Sequence, residues 1–178
     1  WLFDPYDVEI VNSNSDSSID STGIWVPGSG GSKILNTNIN DLLNAGNKVT
    51  ISTGSVGGSG IGNIVVNGGI ARTVGTGQVF LTLDANNDLN INEPITILGD
   101  HSGLVLRAGN NLSFNGNIKA YGLLIDKTGV GQISQNNPVE AQYLRINAPL
   151  ASVTLEHELN NFGLISAYVG SISLKSKE

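Results

Sequence analysis

Acidic and amide side chains are the part of this sequence that comes nearest to a chemical site. Asp84, Asn86 and Asp88, in "DANNDLNINE", have the oxygen-rich spacing at which a calcium loop begins. Such a loop needs Gly after its third ligand and an acid at its twelfth position, where this chain has Leu89 and Ile95. We therefore predict a turn and a strand here, with no metal ion and no cofactor.

The two histidines offer a second candidate for chemistry. His157 stands between Glu156 and Glu158, and His101 lies in "GDHSG". On or beside a strand, alternate residues point to opposite sides, so the two glutamates would face away from His157. This arrangement favours exposure to solvent over one shared metal site.

A polysaccharide-cleaving enzyme would need acids that converge on one exposed surface. Asp84 and Asp126 follow equivalent strands of the repeat described below, and Arg107 takes the same place in the intervening unit. We predict an Asp–Arg–Asp ladder, which is more often surface charge pairing than catalysis. No nucleophile-elbow motif accompanies it, so no catalytic residues are predicted. The candidate acids are Asp84, Asp88, Glu93, Asp100 and Asp126.

Two further motifs concern modification and phosphate binding. Asn111 opens the N-x-[ST] sequon of the chain, but it also occupies a polar position of the repeat, so glycosylation is the weaker interpretation. "GSGGSK" at 28–33 and "GGSGIG" at 57–62 lack the spacing of a phosphate loop and are interpreted as flexible segments.

Aromatic residues could form a surface on which sugar rings stack, provided that several of them are exposed. Packing in the core or at an end of the fold is the alternative for most of them, above all for Trp1 and Trp25. The candidates are Trp1, Phe3, Tyr6, Trp25, Phe80, Tyr121, Tyr143 and Tyr168.

Composition excludes several classes of protein. The net charge of −6 and the pI near 4.7 argue against nucleic-acid binding, which needs a basic face. There is no Cys, hence no disulfide and no thiolate site. No run of about 18 apolar residues is present, so we expect no membrane-spanning helix. Because the chain opens on Trp1, we expect it to be a piece of a longer protein.

A repeat of about 20 residues runs through the chain from residue 63 onward. Its units share a template of polar, apolar, any, apolar, Asn-like, any, any, apolar, as in "DLNINEPI" and "NLSFNGNI". In the unit "SVTLEHEL" at 152–159 the template places Leu159 inward. The step between units shortens from 25 to 19 residues. The first apolar positions are Ile64, Leu89, Leu112, Ile133, Val153 and Ile172. A second apolar series comprises Leu81/Leu83, Leu104/Leu106, Leu123/Ile125, Leu144/Ile146 and Leu164.

This repeat predicts a parallel β-helix. Apolar residues alternate within each block, which is the period of a strand, and the residues between blocks are turn formers. Short strands in self-similar units stack into a solenoid, here of five or six coils over residues 63–178. An antiparallel β-sandwich is the rival, and it would need hairpin-spaced strands. Gln135 interrupts the inward series, so we predict a distorted coil or a side chain pointing into a corner.

The first 62 residues differ from the repeats and are predicted to cap or extend them. Apolar residues at helical spacing predict a short helix over 36–45, with Asn40 or Asp41 as caps and Gly46 as the stop. A strand over Val49–Ser52 and a glycine-rich loop over 52–62 should follow.

Four segments carry a family resemblance. They are the opening "WLFDPYDVEI", the later "LLNAGNKVTIST", and the repeat segments "LTLDANNDLNIN" and "LVLRAGNNLSFNGNI". The first two resemble a paired motif, and the last two resemble the repeats, of large bacterial exoproteins of the filamentous haemagglutinin type. The matching residues are Trp1, Leu2, Asp4, Pro5, Asp7, Val8 and Ile10, then Leu43, Asn44, Gly46, Val49, Thr50, Ile51 and Thr53.

The resemblance implies a right-handed parallel β-helix that is exported by two-partner secretion through an outer-membrane transporter. The family's secretion domain carries NPNL- and NPNG-type motifs that are absent here, which places the chain downstream of that domain. We therefore expect a non-enzymatic, secreted or surface-bound adhesin segment that forms a shaft or binds a host glycan or protein receptor. The alternatives are a polysaccharide-acting β-helix and haem-protein capture through the segments 12–33 and 52–62.

Overall fold

The chain folds into a parallel β-helix of about 7 turns with one short α-helix. The computed structural model describes residues 7–13, 18–19, 25–26, 32–53, 62–73 and 77–177. In chain order the elements are β1 (Val8–Val11), β2 (Ser18–Ile19), β3 (Trp25–Val26), β4 (Ser32–Leu35), α1 (Asn36–Asn44), β5 (Val49–Ser52), β6 (Ile64–Val66), β7 (Ile70–Arg72), β8 (Phe80–Ala85), β9 (Leu89–Ile91), β10 (Ile95–Ile97), β11 (Gly103–Ala108), β12 (Leu112–Phe114), β13 (Ile118–Lys127), β14 (Gln132–Gln135), β15 (Val139–Leu155) and β16 (Asn161–Leu174).

The strands stack in three faces, each a parallel ladder of successive coils. The first face has the order β4-β1-β6-β9-β12-β14-β15-β16, and the second has β7-β10-β13-β15-β16. The third face has the order β5-β8-β11-β13-β15-β16. The longest strands turn corners and contribute to more than one face. The prediction of a parallel β-helix is therefore confirmed, with slightly more coils than the five or six expected.

The predicted apolar columns stack in register. Leu89 lies between Ile64 and Leu112 on the first face, and the same column continues through Ile133 and Val153. These side chains are almost fully buried, and burial of each contributes about 1.5–3 kcal/mol. A β-sandwich would not stack these residues in one column, so the stacking excludes that rival fold.

The second series is confirmed except at its last member. Leu164 pairs with Tyr143 and points outward, with 65% of its surface exposed, while Ile165 takes the inward place beside Leu144. The prediction for Leu164 was wrong by one residue. In a strand a slip of one residue moves a side chain to the opposite face.

Asparagine side chains hydrogen-bond along the stack, as predicted for "DLNINEPI" and "NLSFNGNI". At the corner between the first and second faces, each side-chain amide donates to the amide oxygen of the preceding coil, at 2.7–2.9 Å. A second ladder precedes the first face, where a side-chain oxygen accepts the backbone N–H of the next coil. The first ladder is Asn67, Asn92, Asn115 and Asn136, and the second is Asn63, Asp88, Asn111 and Gln132.

The predicted helix and the strand after it are confirmed at α1 and β5. Gly46 ends the helix, because its φ of +86° and its N–H bond to Leu43 O suit a glycine. The proposed caps were wrong. The helix begins after Leu35 with no side-chain cap, and Asn40 and Asp41 lie within it.

The asparagines of α1 instead bind the edge of β7. Residues four apart on a helix are 6 Å apart along its axis, and alternate residues of a strand are about 6.6 Å apart. Three side chains can thus follow one strand edge and satisfy its backbone groups. The bonds are Asn36 Nδ2 to Gly69 O (2.7 Å), Ala71 N to Asn40 Oδ1 (2.9 Å) and Thr73 N to Asn44 Oδ1 (3.1 Å).

The N-terminal strands also join the stack. β1 lies between β4 and β6 on the first face, parallel to both, although β4 follows it in the chain. On the second face, α1 contacts β7 and takes the place below it. A helix about 10 Å across matches two strand layers of about 4.8 Å each, so α1 spans the height that β4 and β1 fill.

Candidate functional site

A shallow groove crosses the outer surface of the third face, from β8 to β15. It has a volume of about 310 Å³ and a predominantly apolar lining. Phe80, Tyr121 and Tyr143 form its rims, and Gly103 and Gly122 lie at its floor. We call it the aromatic groove.

The ring of Tyr121 packs against the rings of both Tyr143 and His101. The ring centroids of Tyr121 and Tyr143 lie 5.2 Å apart with a tilt of 54°, and His101 lies 5.7 Å from Tyr121. A side-chain hydrogen bond to Tyr143, with smaller effects of burial and of the negative charge of Asp100, raises the pKa of Tyr121. The Tyr121 hydroxyl therefore remains protonated at neutral pH. His101 adopts a φ of +62°, which a residue other than Gly takes mostly in turns.

The predicted sugar-stacking aromatics are partly united at this site. Phe80, Tyr121 and Tyr143 come together, whereas Tyr168 lies in the last coil beside Asn147 and is 69% exposed. The remaining members of the predicted set, Trp1, Phe3, Tyr6 and the Trp25 side chain, lie outside the described part of the structure.

Sequence reasoning missed the non-aromatic half of the groove. Val105, Leu124 and Arg145 occupy one outward row of successive strands, next to the row that contains the glycines. The register of the repeat held this information, because Gly103 and Gly122 come where Phe80 and Tyr143 stand in other coils. What the sequence lacked was the arrangement of the side chains across that row, which depends on how they pack.

A buried arginine supports the turn at the edge of the groove. Arg72 is 1% exposed and donates to Leu98 O at 2.8 Å, to Ser102 Oγ at 2.8 Å and to Gly77 O at 2.9 Å. These bonds hold together the corner segments between the second and third faces. The turn that bears His101 is fixed by them.

The predicted Asp–Arg–Asp ladder is present beside the groove. Arg107 Nη1 lies 3.3 Å from Asp84 Oδ2, and Arg107 Nε lies 3.7 Å from Asp126 Oδ2. Asn147 Nδ2 donates to Asp126 Oδ1 at 2.8 Å. Each of the charged side chains is at least one third exposed, so their pairing adds little stability.

The residues of the calcium-like segment are used by the fold. Asp88 Oδ1 accepts hydrogen bonds from Asn110 Nδ2 at 2.9 Å and from the backbone N–H of Asn111 at 2.8 Å. Asn86 and Glu93 are exposed at corners before and after β9.

Neither histidine belongs to a metal-ligand group among the described residues. His157 Nδ1 accepts the N–H of Leu159 at 3.2 Å, and Glu156 bonds Ser173 instead. In the part of the chain that the structure describes, no three His, Asp or Glu side chains are grouped as metal ligands.

Asn111, the glycosylation candidate, belongs to the corner ladder. Its Oδ1 accepts the backbone N–H of Gln132 at 3.0 Å, and the residue is half-buried. Its modification stays a prediction. The glycine-rich segments 28–33 and 57–62 and the proposed capture loops lie largely outside the described ranges.

The interruption at Gln135 is resolved by a second polar residue. Gln135 points into a corner, which was one of the two predicted outcomes. There its side-chain amide pairs with that of Asn160 through two hydrogen bonds of 2.8 Å. Asn160 takes the inward place expected for Leu159, which is 54% exposed, so that expectation was wrong by one residue. The corner after Leu155 is one residue longer than the template allows.

Lys127 is a buried cation in an otherwise small and apolar row. It is 1% exposed, pairs in register with Ala108, and donates from Nζ to Gly129 O at 2.9 Å. Burial lowers the pKa of Lys127, and the charge of Asp88 offsets part of that effect.

We expect Lys127→Met to be more stable than the wild type by about 1 kcal/mol at pH 7, because a buried charge is replaced by an apolar chain of similar volume. Because the pKa of Lys127 is lower in the folded state than in the unfolded chain, its protonated form destabilises the fold. This destabilisation is fully present below the folded-state pKa, and it disappears as the pH rises towards 10.5, the ordinary pKa of a lysine. The advantage of the variant should therefore shrink in that alkaline window. Urea unfolding of both proteins at neutral and alkaline pH measures this difference; a variant less stable at both would contradict it.

The aromatic groove is not the largest cavity of the described surface. A cavity of about 410 Å³ lies along β1, β4 and β6, where Lys33 Nζ is 3.5 Å from Glu9 Oε2. It has no aromatic lining, so we place the candidate site on the third face. Within the described ranges, no helix has the length and apolarity to cross a membrane.

Comparisons of the chain with protein-family models, with curated proteins and with solved structures found no match.

Proposed function

We propose that this β-helix is a non-enzymatic binding segment of a secreted bacterial surface adhesin. In this proposal the aromatic groove contacts a glycan or protein receptor on a host cell or another bacterium. The observation that carries it is the cluster of Phe80, Tyr121 and Tyr143 on an outer face of a rigid stack. Exposed apolar and aromatic patches on soluble proteins commonly mark interaction sites.

The pairing of the nearby acids supports binding over cleavage. Arg107 lies between Asp84 and Asp126 and contacts both carboxylates. A catalytic pair of carboxylates would need free space between them for a water molecule and a glycosidic bond.

Export and location follow from the resemblance of the opening and repeat motifs to filamentous haemagglutinin-type exoproteins. We propose secretion through the outer-membrane transporter of the parent protein, with the β-helix displayed at the cell surface. A repetitive stack can present several weak contacts at once, and such contacts strengthen attachment by multivalency.

Attachment of chain-coated beads to epithelial cells and to bacterial cells tests this function. Tyr143→Ala is expected to lower the apparent affinity about tenfold, which corresponds to the loss of roughly 1.4 kcal/mol of stacking and burial. Tyr168→Ala is the matched control, because Tyr168 is more exposed and lies outside the groove. The proposal is overturned if the wild-type chain attaches to none of these cells, or if Tyr143→Ala and Tyr168→Ala lose affinity equally.

Polysaccharide cleavage is the second candidate, because Asp84 and Asp126 border one shallow cavity of about 170 Å³ next to the groove. If it is correct, Asp84→Asn and Asp126→Asn abolish release of reducing ends from a polysaccharide panel. Absence of cleavage by the wild-type chain across that panel would exclude it.

A further inference from the structure

The floor of the aromatic groove contains an open slot above Gly122. Phe80, Gly103, Gly122 and Tyr143 are opposite one another in four successive coils. The ring of Phe80 covers Gly103, since a Cβ built there would lie 2.8 Å from Phe80 Cε1. Apart from its chain neighbours Tyr121 and Leu123, a Cβ at Gly122 would meet nothing nearer than Ser102 O at 3.5 Å. Gly122 also lines the groove of about 310 Å³, so part of that open space lies over Gly122, in the row between Phe80 and Tyr143.

The walls of this slot suit the two kinds of surface that a sugar ring presents. Tyr143 and Tyr121 line it with aromatic carbon for the C–H groups of the sugar, and their hydroxyls retain acceptor sites besides the hydrogen bond that they share. Leu124, in the neighbouring row, adds an apolar side. Phe80 and Tyr143 are three coil spacings apart, about 14 Å, and the side chain missing at Gly122 leaves room for one sugar ring between them.

Arg145 gives the slot a charge preference. It follows Leu124 in the next coil of the same outward row, lines the groove and is exposed. Within the described residues no carboxylate forms an ion pair with it, whereas Arg107 is paired with two aspartates. A guanidinium group binds a planar carboxylate through two parallel hydrogen bonds.

We infer that the slot above Gly122 binds a uronic-acid residue of an acidic polysaccharide, with the sugar ring against Tyr143 and its carboxylate on Arg145. This inference deepens the proposed function and rests on it, because it names the ligand class of the same groove. The polymer would cross the third face with one sugar seated in the slot.

Calorimetric titration with oligosaccharides of galacturonate, alginate and hyaluronan tests the inference. The matched ligand for each is the same oligosaccharide after reduction of its carboxylates to alcohols. We expect at least one uronate oligosaccharide to bind, and its reduced form to bind at least tenfold more weakly. Arg145→Gln should abolish this preference for the acid form and leave weak binding of the reduced form.

Gly122→Val tests the slot itself. Valine suits a strand and its Cβ meets no clash at Gly122, so the fold should persist while the side chain fills the slot and lowers affinity at least tenfold. Asn90→Val, at an outward position of β9 on the first face, is the control and should bind as the wild type does. An unchanged thermal midpoint shows that Gly122→Val is folded. If the variant does not fold, the binding of Arg145→Gln decides whether the inference stands.

The inference is overturned if no uronate oligosaccharide binds, if the reduced forms bind equally well, or if a folded Gly122→Val variant binds normally. Its failure is distinct from that of the proposed function. Cell attachment that depends on Tyr143 without any uronate binding leaves the adhesin proposal standing. Uronate binding without attachment to any cell leaves the slot standing and removes the adhesin role.

Discussion

Gly109→Ala and Gly129→Ala are each expected to lower the free energy of unfolding by about 3 kcal/mol or more. Both glycines lie at the corner between the third and first faces. A Cβ at Gly109 would lie 1.9 Å from Asn86 O, and one at Gly129 would lie 1.8 Å from Gly109 O. These obstructing atoms belong to the backbone of the preceding coil, so relief requires that the coils separate. Neither φ is in the left-handed region, so the cause is the close approach and not backbone strain.

Urea unfolding and thermal melting measure this effect, and a loss of 3 kcal/mol should lower the midpoint of a chain of this length by roughly 6–12 °C. Gly69→Ala is the matched control. It is also at a corner, but its Cβ would meet only Pro94 O, at an ordinary 3.6 Å. We expect its stability to change by less than about 1 kcal/mol. If all three variants lose stability alike, glycine entropy and not coil spacing is responsible.

Asn160→Ala is expected to cost about 3–5 kcal/mol, because it leaves several buried polar groups without partners. The Asn160 side chain is fully buried. Its Oδ1 accepts the N–H of Val139 at 2.9 Å, and its Nδ2 donates to Leu155 O at 3.0 Å and to Lys175 O at 3.0 Å. The amide of Gln135 would also lose its partner.

A second variant separates hydrogen bonding from volume. Asn160→Leu restores an apolar side chain at an inward position but leaves the same backbone groups unpaired, so it should be nearly as unstable as Asn160→Ala. Asn92→Ala, in the exposed corner ladder, removes comparable amide bonds and should cost about 1 kcal/mol or less, because water replaces them. Wild-type stability of Asn160→Leu would show that the amide network does not stabilise this corner. A double-mutant cycle with Gln135→Ala gives the coupling directly.

Two inward positions of the last coil were predicted wrongly, each by one residue, and both follow the corner after Leu155. The repeat predicts Leu159 and Leu164 at inward positions, but Asn160 and Ile165 take those positions. Within a strand the alternation of apolar residues is local and can be followed letter by letter. A corner has no such period, and one additional residue in it reverses the face of everything that follows.

The sequence by itself determined the period of the repeat, the inward columns from Ile64 to Val153, a short helix over 36–45 and the ladder of Asp84, Arg107 and Asp126. Each depends on residues whose spacing is set within one strand or one unit. Only the tertiary structure decided that β1 lies between β4 and β6, that α1 binds the edge of β7 and that Asn160 pairs with Gln135. It also decided that Phe80 and Tyr143 flank the slot above Gly122. These contacts join units of unequal length, and their register depends on how the corners pack.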